Sequence, residues 1–297
     1  MKKPKKPRPA VADGAKAGNT MPQNILQTIL ETKRKEVADL RDRRSLADLR
    51  AAAAAAPSVR NFFTAVTGPP RRLVNLIAEV KKASPSAGVI RADFDPAAIA
   101  RQYEAGGASA ISVLTDRQYF QGSLDHLRAV REAVSLPVLR KDFIIDQAQV
   151  YEARAAGADA ILLIAAALPV GRLADLMILS AELKLTVLLE VHDADELLAV
   201  RSMVGFPHRA YSLLGINNRD LTTFEVDIAT TLRLASLAGE GAAIVSESGI
   251  RTRQDVERLK AGGVRGVLVG EALMRCGDIP AGIEQLLGPA RGPGAMT

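Results

Sequence analysis

The sequence has one cysteine, three histidines and no tryptophan in 297 residues. A single Cys276 cannot form an internal disulfide or a cysteine-rich zinc site, which agrees with a reducing cytoplasm. No run of residues approaches the roughly 18 apolar positions of a membrane helix, and no apolar segment follows the N-terminal lysines as it does in a secretory signal. We therefore expect a soluble, cytoplasmic protein that does not bind membranes.

Acidic residues are missing from the first nine positions, MKKPKKPRP, which hold five Lys and Arg residues. Because the net charge is +6, the rest of the chain is nearly neutral. Residues 1–20 lack hydrophobic periodicity and predict a disordered basic tail. Such a tail can bind nucleic acid or another polyanion. We regard this as the weaker hypothesis for the main role and expect no nucleic-acid partner.

What the sequence does contain is a repeated strand-and-helix unit. Beyond residue 73, eight runs rich in Val, Ile and Leu alternate with amphipathic segments and end every 23 to 33 residues. Their continuous apolar character indicates strands buried on both faces, as in a parallel sheet covered by helices. The predicted strand ends lie near Glu79, Ser112, Lys141, Ile164, Glu190, Asn217, Glu247 and Gly270.

Eight such units predict an α/β fold, namely a (β/α)8 TIM barrel over residues 73–287. An open doubly wound sheet alternates in the same way, but no glycine-rich fingerprint follows the first strand. Apolar residues at helical spacing in residues 24–44 predict an amphipathic helix within an N-terminal helical extension, residues 21–72. That helix can cap the bottom of the barrel or fold over its top. Residues 288–297 are expected to form a flexible tail.

Polar and charged residues lie at the ends of the predicted strands. In a TIM barrel these ends form the active site. Any one of these residues can be a surface ion pair or a helix cap, but their recurrence is not expected by chance because buried charges are costly. The residues are Glu79, Lys81, Lys141, Glu190, Asn217, Glu247 and Ser248.

Glycines and small polar residues follow the first, seventh and eighth strands. Loops after strands seven and eight of TIM barrels often bind phosphate through backbone N–H groups. The pattern predicts a small phosphorylated substrate, although these glycines can also serve only to turn the chain. The residues are Ser84, Ser248, Gly249, Gly270 and the adjacent Glu271.

Seven segments resemble the indole-3-glycerol-phosphate synthase family, in family order and spacing over about residues 21–285. SESGI alone also occurs in other phosphate-binding barrels, whereas the combination is specific. The segments are AEVKKASPSAGVIRADFDP from Ala78, SVLTDRQYFQGS from Ser112, LRKDFIID from Leu139, LLEVHD from Leu188, LGINNRDLTTFEVD from Leu214, VSESGI from Val245 and VGEALM from Val269.

The resemblance implies roles for the residues at matching positions. Phe120 would line the anthranilate ring or would only pack, and Arg219 would contact substrate or hold a neighbouring carboxylate. The implied catalytic residues are Lys141, Glu190, Lys81, Glu79 and Asn217. The implied substrate-binding residues are Ser84, Phe120, Arg219, Leu221, Glu247, Ser248, Gly249, Gly270 and Glu271.

The implied reaction is a carboxy-lyase step of tryptophan biosynthesis. It closes the ring of 1-(2-carboxyphenylamino)-1-deoxyribulose 5-phosphate with loss of carbon dioxide and water, giving indole-3-glycerol phosphate. Lys and Glu side chains suit its proton transfers, but the sequence does not say which lysine performs which one. The reaction has no net redox change, so we expect no cofactor.

Three further expectations concern metal binding, the oligomeric state and an alternative function. We expect no metal, because the nearest ligand candidate, His192 beside Glu190 and Asp193, lies in a strand where side chains alternate between faces. We expect a monomer. The alternative function is another phosphate-binding barrel enzyme such as a phosphoribosyl isomerase, which would share the SESG turn but would not require Lys81 and Lys141.

Overall fold

The computed structural model describes residues 25–220, 223, 225–239 and 241–290. Its strands form a closed parallel barrel in which each strand pairs with the next and the last pairs with the first. This confirms the predicted TIM barrel, and each strand ends within two residues of its predicted end. The barrel strands are β1 Asn75–Val80, β2 Ala110–Leu114, β3 Val138–Lys141, β4 Ala160–Ile164, β5 Thr186–Val191, β6 Ser212–Asn217, β7 Ile244–Glu247 and β8 Gly266–Val269. A separate antiparallel pair, Ala83–Ser84 with Gly88–Val89, lies in the loop after β1.

Three helices precede the barrel: α1 Ile25–Arg43, α2 Leu46–Ala55 and α3 Phe62–Thr67. The first turn of α2 is fixed by a capping box between Ser45 and Asp48, a reciprocal arrangement that satisfies two otherwise free N–H groups. Helix α3 lies at the N-terminal end of the barrel, where Phe62 and Val66 belong to the cluster of apolar side chains inside it.

Helix α1 lies at the opposite end, over the C-terminal ends of the strands. The Lys33 ammonium is 2.8 Å from Asp116 Oδ2 and 2.9 Å from Asp142 Oδ1, in the loops after β2 and β3. The side chains of Ile25, Leu26 and Ile29 line the large cavity at this end. The sequence left the position of this helix open, and the structure places it at the top of the barrel.

The remaining helices surround the strands and bury a second apolar layer between strand and helix. Helix α11 follows β8 directly, so its first residues stay at the rim of the barrel. The helices are α4 Pro96–Ala105, α5 Leu124–Ala133, α6 Gln147–Ala155, α7 Val170–Glu182, α8 Ala194–Val200, α9 Ala229–Ala235, α10 Arg253–Ala261, α11 Glu271–Met274 and α12 Ile279–Leu287.

The predicted N-terminal tail, residues 1–20, lies outside the described residues, as do residues 291–297 of the predicted C-terminal tail. Over the part of the chain that is described, none of the helices combines the length and the apolar character needed to cross a bilayer.

Candidate active site

A cavity of about 550 Å³ opens at the C-terminal ends of the strands, beneath α1. All the predicted site residues that the structure describes line it, and Leu221 lies outside the described residues. These lining residues are Glu79, Lys81, Ser84, Phe120, Lys141, Glu190, Asn217, Arg219, Glu247, Ser248, Gly249, Gly270 and Glu271.

Four of these side chains come from alternate strands and meet inside the barrel. In a TIM barrel the interior is filled by layers of four side chains contributed by alternate strands, and branched apolar residues dominate those layers. Here the uppermost layer consists of three carboxylates around one ammonium. Its members are Glu79 of β1, Lys141 of β3, Glu190 of β5 and Glu247 of β7.

Lys141 is the centre of this layer. Its Nζ is 3.4 Å from Glu247 Oε2, 3.7 Å from Glu190 Oε2 and 3.8 Å from Glu79 Oε2. The second lysine, Lys81, lies 2.7 Å from the other oxygen of Glu79. The three carboxylates are each at most 4% exposed, so their charges interact with little screening by water.

These contacts set the protonation of the four groups. Burial alone would lower the pKa of Lys141, but Glu247, Glu190 and Glu79 outweigh it and raise that pKa. Burial would raise the pKa of Glu79 and Glu190, but Lys81 and Lys141 outweigh it at Glu79, and Lys141, His192 and Asn217 outweigh it at Glu190, so both pKa values are lowered. Glu247 differs: burial and the charge of Glu190 raise its pKa to about 8. Glu247 is therefore the carboxyl group of the layer that holds a proton most readily.

Two glycines make room for these carboxylates. A methyl group on Gly215 would overlap Glu247 Oε1, and one on Gly270 would overlap Glu79 Oε1. The sequence indicated Gly270 only as part of a phosphate site, and it gave Gly215 no role. With a side chain at either position, the carboxylate would have to move from its place in the layer.

The loop after β7 has an unusual backbone that a buried asparagine supports. Ser248 and Gly249 have φ angles of 66° and 77°, which are left-handed values that non-glycine residues seldom adopt. Asn218 Nδ2 donates to the Ser248 carbonyl at 3.1 Å, while Asn218 Oδ1 accepts from both the N–H and the hydroxyl of Thr231. Asn218 was not predicted, and its only sign in the sequence is the second Asn of GINNRD.

The wall under α1 is apolar. Phe120 and Phe143 have ring centroids 6.2 Å apart, and the apolar side chains of α1 lie on the same cavity. Phe143 was not predicted, although it belongs to the matched segment LRKDFIID. Arg251 and Arg275 also line the cavity without having been predicted, and Arg275 pairs with Glu271 at 2.9 Å.

The polar side includes Asn217 and Arg219. Asn217 Nδ2 donates to Glu190 Oε1 at 3.3 Å, and Asn217 Oδ1 accepts from the backbone N–H of Arg219 at 3.1 Å. Within the described ranges, no group of three or more His, Cys, Asp or Glu side chains converges in a way that could hold a metal ion.

The chain is similar in sequence to proteins of one known family. The family model "Indole-3-glycerol phosphate synthase" matches residues 26–286. A curated relative of that name from Neisseria gonorrhoeae is 52% identical over 264 residues, covering 89% of this chain and 99% of the relative. One from Laribacter hongkongensis is 49% identical over 265 residues, covering 89% and 98%.

Solved structures support the fold alone. A mutant tryptophan synthase alpha-subunit from Pyrococcus furiosus has a TM-score of 0.54 at 18% identity, covering 73% of this chain and 99% of that chain. A thiamine phosphate pyrophosphorylase from the same organism has a TM-score of 0.52 at 17% identity, covering 73% and 95%. On the family match and the two relatives, the chain belongs to the indole-3-glycerol phosphate synthase family.

Proposed function

We propose that this protein is a carboxy-lyase that converts 1-(2-carboxyphenylamino)-1-deoxyribulose 5-phosphate to indole-3-glycerol phosphate, carbon dioxide and water, as a cytoplasmic step of tryptophan biosynthesis. The observation that carries the proposal is the layer of three glutamates around Lys141 at the rim of the barrel. Such a layer supplies both proton donors and proton acceptors inside one cavity.

The two ends of the cavity suit the two ends of this substrate. The aryl ring fits against the apolar wall of Phe120, Phe143 and α1. The phosphate fits the opposite side, where the backbone of Ser248-Gly249 and of Gly270-Glu271 faces the cavity with Ser84. Free backbone N–H groups bind anions well. Lys81, between these ends, is placed to pair with the substrate carboxylate.

In the first step, the ring carbon that bears the carboxylate attacks the ketone carbon. Lys141 donates a proton to the ketone oxygen, which becomes a hydroxyl group. The bond to the carboxylate then breaks, carbon dioxide leaves, and the electron pair restores the aromatic ring. The substrate ring is the electron acceptor, so the step needs no group beyond the chain and the substrate.

In the second step, the new hydroxyl group leaves as water after receiving a proton from Lys81, or from Lys141 once it has regained a proton from solvent. Glu190 accepts a proton from the adjacent carbon, and the indole double bond forms. Asn217 and Glu79 orient Glu190 and the lysines through the contacts described above.

Glu247 and Ser248 hold hydroxyl groups of the substrate in this proposal. Both carboxyl oxygens of Glu247, and Oε2 of Glu190, are buried without a hydrogen-bond partner among the described residues. Buried polar atoms are nearly always hydrogen-bonded, so these oxygens are suited to receive the hydroxyl groups of a ligand.

The test is turnover of the carboxyphenylamino substrate, followed by the fluorescence of the indole product. We expect the wild-type protein to be active, and Glu190→Gln and Lys141→Ala to lose about 10²–10⁴-fold in kcat. A wild-type protein that gives no indole product contradicts the function. Near-normal turnover in both variants contradicts the assigned roles while leaving the function standing.

A further inference from the structure

A histidine lies directly behind the proposed proton acceptor. His192 directly follows β5, two residues beyond Glu190, and its ring contacts the Glu190 carboxylate. The His192 side chain is only 8% exposed, with Nε2 3.2 Å from Glu190 Oε1 and Nδ1 3.1 Å from Glu196 Oε2. Glu196, in α8, also accepts the backbone N–H of His192 at 2.8 Å. Glu196 therefore holds this residue at two points.

Both ring nitrogens of His192 face a carboxylate oxygen. A neutral imidazole has one N–H donor and one acceptor, so it would set a lone pair against one of these carboxylates. Burial opposes the charged form, but Glu190 and Glu196 outweigh burial and raise the pKa of His192 to about 10. Nε2 has no hydrogen-bond partner among the described residues, so the 3.2 Å contact with Glu190 acts mainly through charge.

The layer needs such a group, because Lys141 does not distinguish its carboxylates. Lys141 lies 3.4 Å from Glu247 and 3.7 Å from Glu190, so its charge alone does little to decide which of the two carboxyl groups is ionised. Glu79, farther around the layer, has Lys81 as its own cation. His192 contacts Glu190 and not Glu247, which makes it the asymmetric element.

We propose that His192 is a positioning residue that stays an imidazolium, keeps the Glu190 carboxylate ionised, and turns its Oε2 toward Lys141 and the substrate. The proposal rests on the acid–base role assigned to Glu190. The groups that face Glu190 are Lys141 from β3, Asn217 from β6, Glu247 from β7, Glu79 from β1 and His192 itself. Those that face His192 are Glu190 and Glu196.

The kinetic test uses His192→Gln, whose amide reaches toward the position of Nε2 without a charge, and Glu196→Gln, which removes only the outer carboxylate. Loss of the imidazolium charge of His192 makes the Glu190 carboxylate easier to protonate. We expect the acidic limb of the kcat profile to move about one unit to higher pH, a loss of roughly tenfold in kcat on that limb, with KM changed less than twofold. A role limited to packing would leave the pH profile where it is.

The second readout is the protonation of His192 followed by NMR of the ring nitrogens. The chain has only three histidines, so the signal missing from the His192→Gln spectrum identifies this one. We expect imidazolium shifts at pH 8 in the wild type and a lower midpoint in Glu196→Gln. The matched control is His208→Gln, because His208 is an exposed histidine outside the cavity, and its kcat profile should match the wild type.

Two results overturn the proposal: a neutral His192 at pH 7, or kcat profiles of His192→Gln and Glu196→Gln that superimpose on that of the wild type. Glu190→Gln separates this proposal from the one before it. If that variant turns over normally, the role of Glu190 fails. If it is inactive while the profiles of the other two variants do not move, only the role of His192 fails.

Discussion

Two groups of buried charges lie side by side at the top of this barrel, joined in sequence where Lys141 meets Asp142. The rim cluster consists of Glu79, Lys81, Lys141, Glu190 and Glu247. The α1 cluster consists of Lys33, Asp116, Arg140, Asp142 and Glu152. In the α1 cluster each carboxylate has a cation within 3.1 Å, whereas the cation nearest to Glu247 in the rim cluster is 3.4 Å away.

The pKa values of the carboxyl groups also differ between the two clusters. Burial would raise the pKa of Asp142, but Arg140 and Lys33 outweigh it and push that pKa far below its usual range. At Glu247 burial and a like charge prevail, and the pKa rises to about 8. Burial of charge is common to both clusters, so burial alone does not mark an active site. The difference lies in Glu247, whose longer distance to a cation and raised pKa leave it able to contact a ligand and to change its protonation.

The largest effect that tests this comparison is on activity. Lys141→Met should lower kcat by about 10²–10⁴-fold and should change the free energy of unfolding less than a substitution in the α1 cluster does, because its contacts are 3.4–3.8 Å long. Steady-state kinetics and urea unfolding on the same preparation measure both. A variant that is strongly destabilised and still active would reverse the assignment of the two clusters.

Lys33→Met should show the opposite pattern. Asp116 and Asp142 would remain buried beside a neutral side chain, and breaking one partner from a buried pair costs about 3–5 kcal/mol. The urea midpoint should fall accordingly. The kcat at saturating substrate should fall less than in Lys141→Met, while KM rises because α1 contributes to the apolar wall. Loss of less than 1 kcal/mol, on the scale of an exposed pair, would show that α1 is held by other contacts.

Gly215→Ala tests the fit of the rim cluster. The added methyl group would displace the Glu247 carboxylate, and overpacking of this kind costs about 1–3 kcal/mol. We expect lower stability together with a lower kcat. Gly171→Ala is the matched control, since nothing lies within 4 Å of its added methyl group in α7. Equal behaviour of the two variants would mean that Glu247 shifts without consequence.

The smallest effect is expected at Glu36, an exposed residue of α1 that contacts Lys33 of the α1 cluster. Glu36 pairs with Lys33 at 2.8 Å, but its side chain is 41% exposed. Because exposed ion pairs contribute about 0–1 kcal/mol, Glu36→Gln should lower the unfolding free energy by no more than that and leave kcat unchanged. A loss as large as that of Lys33→Met would show that the whole cluster depends on this contact.

Much of the fold was predictable because it depends on local pattern. Continuous apolar runs such as residues 160–164 mark strands buried on both faces, and their spacing marks the repeated unit. The rim residues were predictable for the same reason, since Lys141 and Glu190 stand where an apolar run ends. The match to a known family then indicated the reaction, which composition and periodicity do not.

The missed features depend on contacts between distant parts of the chain. Nothing near Lys33 in sequence shows that its partners are Asp116 and Asp142. The sequence therefore does not predict which end of the barrel α1 covers. Asn218 acts through Thr231 and the Ser248 carbonyl, which only the folded chain brings together. The alternation of strand side chains argues against a metal at His192, but the sequence does not show that the ring contacts Glu190, two residues away.

Glu79 and Gly270 meet across the seam where the first strand pairs with the last, next to the register pair Ala78 and Val269. The ribosome makes the glutamate some 190 residues before the glycine that seats it. A nascent chain that has completed only half its barrel therefore carries lysines and glutamates but no assembled rim cluster. The cluster forms only when the last strand pairs with the first.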